Sequence, residues 1–223
     1  MINKMDAGSI EFITGVMNSE KSFVLLKRIH DALLDEKSCL VLKPSTDTRD
    51  GAEVKSRKAV RTRPAVLVDE SNVQVVNLIF NALGNYDVVF IDEVQFFSHD
   101  FVMRLINKAL AGKIAIVASG LTNDFRQQEF EASRLMRIYA TEEIDFRTGV
   151  CYFCKEEHRE VLDTSTFEGT FYIKGAYEKH ATVNARLDAN DNIITEGNIV
   201  SIEGSDTTYH YETVCRHCFN TRK

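Results

Sequence analysis

The sequence lacks the features that would place it in several other protein classes. No apolar run reaches the roughly 18 residues that a membrane-spanning helix needs, so we expect no membrane partner. Residues 1–8 lack the charged-then-apolar pattern of a secretion signal, and we therefore expect a cytoplasmic protein. Basic residues are fewer than acidic ones, 27 against 33, and the net charge of −6 argues against nucleic acid as a general partner.

The cysteines do not fit a disulfide framework, because their number is odd and four of the five form two C-x-x-C pairs. The pairs are Cys151 with Cys154 and Cys215 with Cys218. Each pair can supply two thiolates from one tight turn, so together they predict a structural, four-cysteine zinc site, with two separate redox dithiols as the alternative. Roughly 60 residues separate the pairs, and we expect a small β-rich subdomain to bring the second pair back to the first.

A missing glycine marks the segment around which the chain is organised, Gly15–Ser22 (GVMNSEKS). A phosphate-binding loop of the form G-x-x-x-x-G-K-[ST] requires glycine where this sequence has Glu20. The flanks suit such a loop, because a short buried strand is predicted at 9–14 and a helical pattern at 23–34. Backbone N–H groups and the helix N-terminus would then bind phosphates, and the serine would ligate magnesium. An ordinary strand-to-helix turn is the alternative interpretation.

Short buried strands alternate with helical patterns as far as residue 145. The predicted strands are 38–42, 64–68, 86–93 and 113–119, and the predicted helices are 73–83, 100–111 and 133–141. This alternation predicts an α/β fold with a doubly wound, mostly parallel sheet that binds its ligand at the carboxyl ends of the strands. We assign a nucleotide-binding domain to 1–145 and a zinc-binding domain to 146–223, with an insertion at about 155–180.

The strand predicted at 86–93 ends in two carboxylates, Asp92 and Glu93. After a phosphate loop, an aspartate at a strand end is placed to hold the magnesium shell, and the next residue points elsewhere. Solvated turn residues are the alternative for this pair. Phe125 and Phe130 follow the strand predicted at 113–119, and they fit either the core or a slot for a flat base.

Six segments, in order, resemble the motifs of the zinc-containing thymidine kinases of the human cytosolic and bacterial type. They are GVMNSEKS at 15–22, KPSTDTR at 43–49, DEVQFF at 92–97, GLTNDFRQQEF at 120–130, ATVNARL at 181–187 and YETVCRHC at 211–218. The resemblance extends over nearly the whole chain. It implies a phosphate-loop (P-loop) kinase domain followed by a lasso-like loop that zinc closes at its base.

The resemblance implies an ATP-dependent thymidine or deoxypyrimidine nucleoside kinase of nucleotide salvage, which forms a homotetramer. Glu93 would act as general base, with Lys21 and Arg49 completing the catalytic set. The residues that would bind ATP are Gly15, Val16, Met17, Asn18, Ser19, Glu20, Lys21, Ser22, Asp92 and Gln95, of which Ser22 and Asp92 would hold Mg²⁺. The residues that would bind the nucleoside are Met17, Asp47, Phe96, Leu121, Phe125, Phe130, Asn184, Ile199, Val200, Ser201 and Tyr211. Zinc would bind Cys151, Cys154, Cys215 and Cys218.

Two departures from the family motifs bear on function. Glu20 replaces the loop glycine, and its carboxylate would repel the triphosphate unless it turns away or pairs with a cation. Asn184 takes a threonine position that faces the thymine ring, and an amide can both donate and accept, which leaves deoxyuridine or a modified pyrimidine open. Two other functions stay open: a degenerate relative that binds nucleotide or nucleoside as a regulator, and another phosphate-loop ATPase with a zinc ribbon.

Overall fold

The computed structural model describes residues 5–48, 51–56, 62–146, 149–155, 180–197 and 209–222. Four predicted site residues, Arg49, Ile199, Val200 and Ser201, lie outside these residues, as does nearly all of the predicted insertion at 155–180. The chain divides into two compact units. The first comprises Met1–Gly15, Glu20–Thr122 and Glu129–Phe146, and the second comprises Val16–Ser19, Asn123–Gln128 and Arg147–Lys223.

The first unit contains a six-stranded main sheet, a separate two-stranded sheet and flanking helices. The strands of this unit are β1 (Ile10–Gly15), β2 (Cys39–Pro44), β3 (Glu53–Val54), β4 (Arg63–Pro64), β5 (Val66–Val68), β6 (Val88–Ile91), β7 (Ala115–Leu121) and β8 (Glu142–Phe146). Its helices are α1 (Lys21–Leu34), α2 (Val73–Ala82), α3 (His99–Leu110) and α4 (Glu131–Tyr139), with 3₁₀ turns at Leu83–Asn85 and Val94–Phe96. The main sheet has the order β5-β2-β6-β7-β1-β8, and β3 pairs separately with β4.

Each strand of the main sheet pairs in parallel with its neighbours, which confirms the predicted α/β fold with a mostly parallel sheet. Helix α1 packs on one face, where its buried residues meet Ile13, Phe90 and Val117. Helices α2, α3 and α4 pack on the other face against residues such as Phe12 and Ile116. Successive strand residues point to opposite faces, so mainly apolar strands supply both cores.

The second unit contains small antiparallel sheets. Its strands are β9 (Gly149–Val150), β10 (His180–Ala181), β11 (Val183–Asp188), β12 (Ile193–Ile194) and β13 (Tyr209–Val214), followed by helix α5 (Arg216–Thr221). Strands β12, β11 and β13 form one sheet, and β10 pairs with β9. Residues Val183, Ala185 and Leu187 alternate into a core that contains the four paired cysteines. Across the described part of the chain, no helix has the length and apolar character that spanning a membrane requires.

Candidate active site and metal centre

Two residues of the segment between β1 and α1 adopt left-handed backbone conformations. Asn18 has a φ of 57°, and Glu20, which precedes the first residue of α1, has a φ of 71° and a ψ of 11°. Glycine adopts this conformation freely, whereas another residue pays about 1–2 kcal/mol. The structure thus gives a backbone reason for the motif glycine, and Glu20 takes the same left-handed conformation despite its side chain.

Replacing Glu20 by glycine is expected to stabilise the protein and tighten its binding of ATP. Relief of the left-handed conformation, less the greater entropy of glycine in the unfolded chain, gives about 1 kcal/mol, or a melting temperature higher by about 2–4 °C. Loss of the carboxylate removes a repulsion next to the triphosphate and should lower the Kd of a fluorescent ATP analogue several-fold. Differential scanning fluorimetry and a titration with the analogue measure the two effects.

Glu36 supplies the matched control, because it also has a left-handed φ, 56°, but follows the far end of α1. Glu36→Gly should raise the melting temperature similarly and leave the affinity for the analogue unchanged. Equal ATP affinity in Glu20→Gly and the unaltered protein would show that the Glu20 carboxylate does not oppose nucleotide binding.

The loop also carries a buried polar atom that suits a ligand. The Ser19 side chain is 1% exposed, and its hydroxyl has no hydrogen-bond partner among the described residues. Lys21, the first residue of α1, is buried, and Ser22 beside it is half-buried. A buried hydroxyl without a partner is costly, and a bound phosphate oxygen would satisfy it. The donor set of this loop therefore fits the phosphates of a nucleotide.

Buried acidic and basic side chains lie together at the ends of β2 and β6 in the first unit. Asp92 is 4% exposed, and its Oδ1 accepts a hydrogen bond of 2.6 Å from the Ser119 hydroxyl. Burial, and then the charge of Glu93, raises the pKa of Asp92 to about 7. The buried Lys43 ammonium lies 3.3 Å from Asp47 Oδ2, and its charge acts in the opposite direction on Asp92. A bound cation would favour the ionised form of Asp92.

Lys43 is a residue whose part in this site the sequence analysis missed. Its side chain is 1% exposed, and its ammonium donates to the backbone carbonyls of Gly51 and Glu53, at 3.4 and 3.3 Å. These contacts join the Lys43 ammonium to the backbone at and just before β3. The only signal in the sequence was the position of Lys43 at the start of KPSTDTR, where lysine alone does not indicate burial.

Glu93 is held in a defined orientation by Gln95. Glu93 has a φ of 52°, a left-handed conformation that is uncommon for glutamate. The Gln95 amide donates to Glu93 Oε2 at 2.5 Å, and its oxygen accepts from the Leu121 N–H at 3.0 Å. Gln95, predicted to bind ATP, thus contacts the predicted catalytic base, and its link to β7 fixes the position of the Glu93 carboxylate.

Gly120 makes this arrangement possible, and the sequence analysis did not assign it a role. A Cβ at this position would lie 2.6 Å from Gln95 Oε1 and 2.8 Å from Val94 Cγ1. Real Cβ atoms do not approach other atoms so closely, so a side chain here would displace the turn that carries Gln95. The site therefore requires a residue without a side chain at position 120, and only the three-dimensional contacts reveal this requirement.

The predicted nucleoside residues fall into both units. In the first unit, the Phe96 and Phe130 rings pack edge to face with centroids 6.3 Å apart, and the carbonyl of Leu121 accepts from Ser133. In the second unit, the buried Phe125 ring packs edge to face with Tyr211, at 6.1 Å, and the Arg186 guanidinium lies 4.0 Å from its centroid. Met17 and Asn184 also belong to the second unit and are hydrogen-bonded to each other.

The four paired cysteines come together in the second unit. All four are buried, and their Sγ atoms lie within 4.8 Å of one another. Cys154 Sγ is 4.0 Å from Cys215 Sγ and 3.7 Å from Cys218 Sγ. Four thiolates around Zn²⁺ at about 2.3 Å would be about 3.8 Å apart, so the cluster fits a tetrahedral metal ion and the two pairs are not separate dithiols.

The protonation of these cysteines depends on burial and on hydrogen bonds within the cluster. Burial, followed by hydrogen bonding with neighbouring thiols, raises the pKa of Cys154 strongly and that of Cys218 to about 11. Burial also acts to raise the pKa of Cys215, but hydrogen bonds from the Cys218 N–H and the neighbouring thiols outweigh it and lower that pKa. Thiolates are the form that binds metal, and a metal ion supplies the positive charge that stabilises them. Metal binding to this cluster should therefore release protons.

The chain combines an α/β fold with a parallel sheet and a segment between β1 and α1 whose donors suit the phosphates of a nucleotide. A family model described as thymidine kinase matches residues 8–219. The chain belongs to the thymidine kinase family, which confirms the resemblance found in the sequence and implies ATP and Mg²⁺ as reactants. The chain is 31% identical to a thymidine kinase of Shouchella clausii over 93% of both chains. It is 30% identical to that of Enterococcus faecalis over 95% of this chain and 94% of the other. With that of Mesomycoplasma hyopneumoniae it shares 37% identity over 70% and 82%, respectively.

Proposed function

We propose that this protein is an ATP-dependent thymidine kinase, which transfers the γ-phosphate of ATP to the 5′-hydroxyl of a deoxypyrimidine nucleoside in nucleotide salvage. The observation that carries the proposal is the placement of Glu93. Its carboxylate is fixed by Gln95 directly after the buried Asp92, at the end of a parallel strand, in a chain of the thymidine kinase family.

In the proposed reaction, Glu93 accepts the proton of the 5′-hydroxyl as that oxygen attacks the γ-phosphorus. The bond between the γ-phosphorus and the oxygen that bridges it to the β-phosphate breaks, and ADP leaves with that electron pair. Lys21 and the loop N–H groups would hold the phosphates, while Ser22 and Asp92 would hold Mg²⁺, which neutralises charge on the β- and γ-phosphates. By family resemblance, Arg49 and the neighbouring Asp47 would organise the phosphates.

The nucleoside would lie beside the residues named for it from the family motifs. In the first unit these are Asp47, Phe96, Leu121 and Phe130, and in the second unit they are Met17, Phe125, Asn184, Tyr211 and the backbone of 199–201. Two half-buried rings packed edge to face, Phe96 and Phe130, give the first unit an aromatic surface suited to a flat base.

A direct assay tests the proposed function. The purified protein is incubated with ATP, Mg²⁺ and thymidine, deoxyuridine, deoxycytidine or a purine deoxynucleoside, and ADP and nucleoside monophosphate are measured together. We expect stoichiometric formation of the two products with thymidine and a much lower rate with purine deoxynucleosides. ATP binding without turnover on any nucleoside would contradict the proposal and favour a regulatory nucleotide-binding protein instead.

The remaining properties of the protein follow from the same proposal. We propose that the four-cysteine centre holds one structural Zn²⁺ per chain, since the Sγ distances suit a tetrahedral ion and four thiolates leave no open position. Family resemblance supports a homotetramer in the cytoplasm. Metal content, sedimentation and cell fractionation measure these three properties separately.

A further inference from the structure

Asn184 lies on β11, at the position where the family motif has a threonine that faces the thymine ring. We infer that Asn184 is a positioning residue that fixes the backbone of Met17 in the phosphate loop, and that it does not read the nucleoside base. The inference rests on the proposed function for the identity of the two substrates.

Both ends of the Asn184 carboxamide are already engaged. Its Oδ1 accepts a hydrogen bond of 2.8 Å from the Met17 N–H, and its Nδ2 donates to the Asn123 carbonyl at 2.9 Å. The side chain is only 6% exposed. A buried amide that spans a backbone donor and a backbone acceptor is fixed in one orientation, because reversing it would oppose donor to donor and acceptor to acceptor. A base could bond only to the remaining N–H or to the remaining lone pair of Oδ1, and a side chain that is 6% exposed offers little access to either.

Neighbouring side-chain amides hold the backbone of Asn184 and of Asn123 in place. Gln127 has a left-handed φ of 67°. Its side-chain Nε2 donates to the backbone carbonyl of Asn184 at 3.1 Å and to the backbone carbonyl of Asp124 at 3.3 Å. Asn123 Nδ2 in turn donates to the Gln127 carbonyl at 3.0 Å. The segment 123–128 and strand β11 are thus joined by a closed set of amide hydrogen bonds, and Met17 is attached to that set through Asn184.

The residue before Met17 is held by close packing. A Cβ on Gly149 would lie 3.3 Å from Val16 Cγ2, 3.1 Å from Ala181 Cβ and 3.2 Å from Thr213 Oγ1. Gly149 therefore leaves room for Val16 against the strands of the second unit. Two consecutive loop residues, Val16 by packing and Met17 by a hydrogen bond, are placed by elements that belong to the second unit.

This attachment divides the loop into two parts with different roles. The Met17 N–H points to Asn184 and is not available to a phosphate, so other N–H groups of the loop must bind the anion. Asn18 takes the left-handed conformation immediately after the fixed residue. Loss of the Asn184 contact would free the Met17 N–H and let residues 16–19 move, which weakens ATP binding and leaves the preference between bases unchanged.

Two variants of Asn184 test the inference. Asn184→Leu has a similar size and removes both hydrogen bonds, and we expect it to raise the Kd of a fluorescent ATP analogue about tenfold. Asn184→Asp keeps an oxygen that can accept from the Met17 N–H but adds a negative charge near the loop, so its Kd should rise less than that of Asn184→Leu, by about three- to fivefold. The ratio of kcat/KM for thymidine to that for deoxyuridine should remain within about twofold in both variants.

Asn192→Leu is the matched control, because Asn192 is exposed in the same unit and, among the described residues, its side-chain amide bonds to Asp188 in its own turn and to no other residue. It should leave the Kd of the analogue unchanged. A large change in the thymidine-to-deoxyuridine ratio at unchanged ATP affinity would show that Asn184 reads the base and would overturn the inference. Equal Kd values for Asn184→Leu and Asn184→Asp would overturn it as well.

The Kd measurements test this inference independently of the proposed function. If the unaltered protein phosphorylated no nucleoside, the proposed function would fail, while the Kd values for the analogue would still decide the role of Asn184. Circular dichroism and melting temperature establish that each variant is folded. If Asn184→Leu does not fold, Asn184→Ser replaces it, since a serine hydroxyl is too short to span Met17 and Asn123; unchanged ATP affinity in that variant would overturn the inference.

Discussion

Replacing Glu93 by glutamine is expected to lower kcat for nucleoside phosphorylation by about 10²–10⁴-fold, the usual contribution of a general base. Glutamine has the same shape but cannot accept the proton of the 5′-hydroxyl. It can adopt the left-handed conformation at the same cost as glutamate, and its amide oxygen can still accept from Gln95. The Kd of ATP should therefore change little, so that the loss appears in the chemical step.

The measurement is steady-state phosphorylation of thymidine together with titration of a fluorescent ATP analogue. Glu143→Gln, on the exposed face of β8, is the control for a lost carboxylate and should keep full activity. Gln95→Leu, which removes the donor to Glu93 and the acceptor for the Leu121 N–H, should give an intermediate kcat. If Glu93→Gln kept a kcat within about tenfold of the unaltered protein, Glu93 would not be the base.

The elements of the first unit could be predicted from the sequence where hydrophobic periodicity was strong. Strands β1, β2, β6 and β7 are mainly apolar, and the helices after them have apolar residues at helical spacing. The edge strand β8 was not predicted, because its sequence, EEIDF, is mainly acidic. Its pairing with β1 is a long-range contact that local pattern does not contain.

The candidate site could be predicted in its residue types but not in its mutual contacts. Asp92 and Glu93 were apparent because they end an apolar run. Lys43 and Gly120 were not, since their roles depend on backbone carbonyls eight or more residues away and on a turn from another part of the chain. Residues 16–19 belong to the second unit through partners such as Asn184, which is 167 positions from Met17. A boundary at 145, drawn from the sequence pattern, cannot predict a contact between residues so far apart in the chain.

Removal of the metal from the four-cysteine centre is expected to unfold the second unit. Its core is small: it consists of the four cysteines, a few apolar residues of β11, β12 and β13, and the rings of Phe153 and Phe219. A core of this size is rarely stable without a metal or a disulfide. Structural Zn²⁺ contributes about 10–16 kcal/mol in small peptides, as much as the whole stability of an ordinary domain. We therefore expect a chelator, or Cys151→Ser, to abolish the near-ultraviolet circular dichroism of the tyrosines in this unit.

Cys39→Ser is the matched control, because Cys39 is the one cysteine outside the cluster and packs beside the core of the first unit at the start of β2. It should retain about one zinc ion per chain by elemental analysis and an unchanged melting profile. In Cys151→Ser the zinc content should fall and an early transition should appear, because three thiolates bind the ion more weakly than four. A zinc-free protein that melts like the purified one would contradict a structural role for the centre. Because Met17 is bonded to Asn184 within the second unit, chelation should also weaken ATP binding, whereas the Cys39→Ser protein should bind ATP normally.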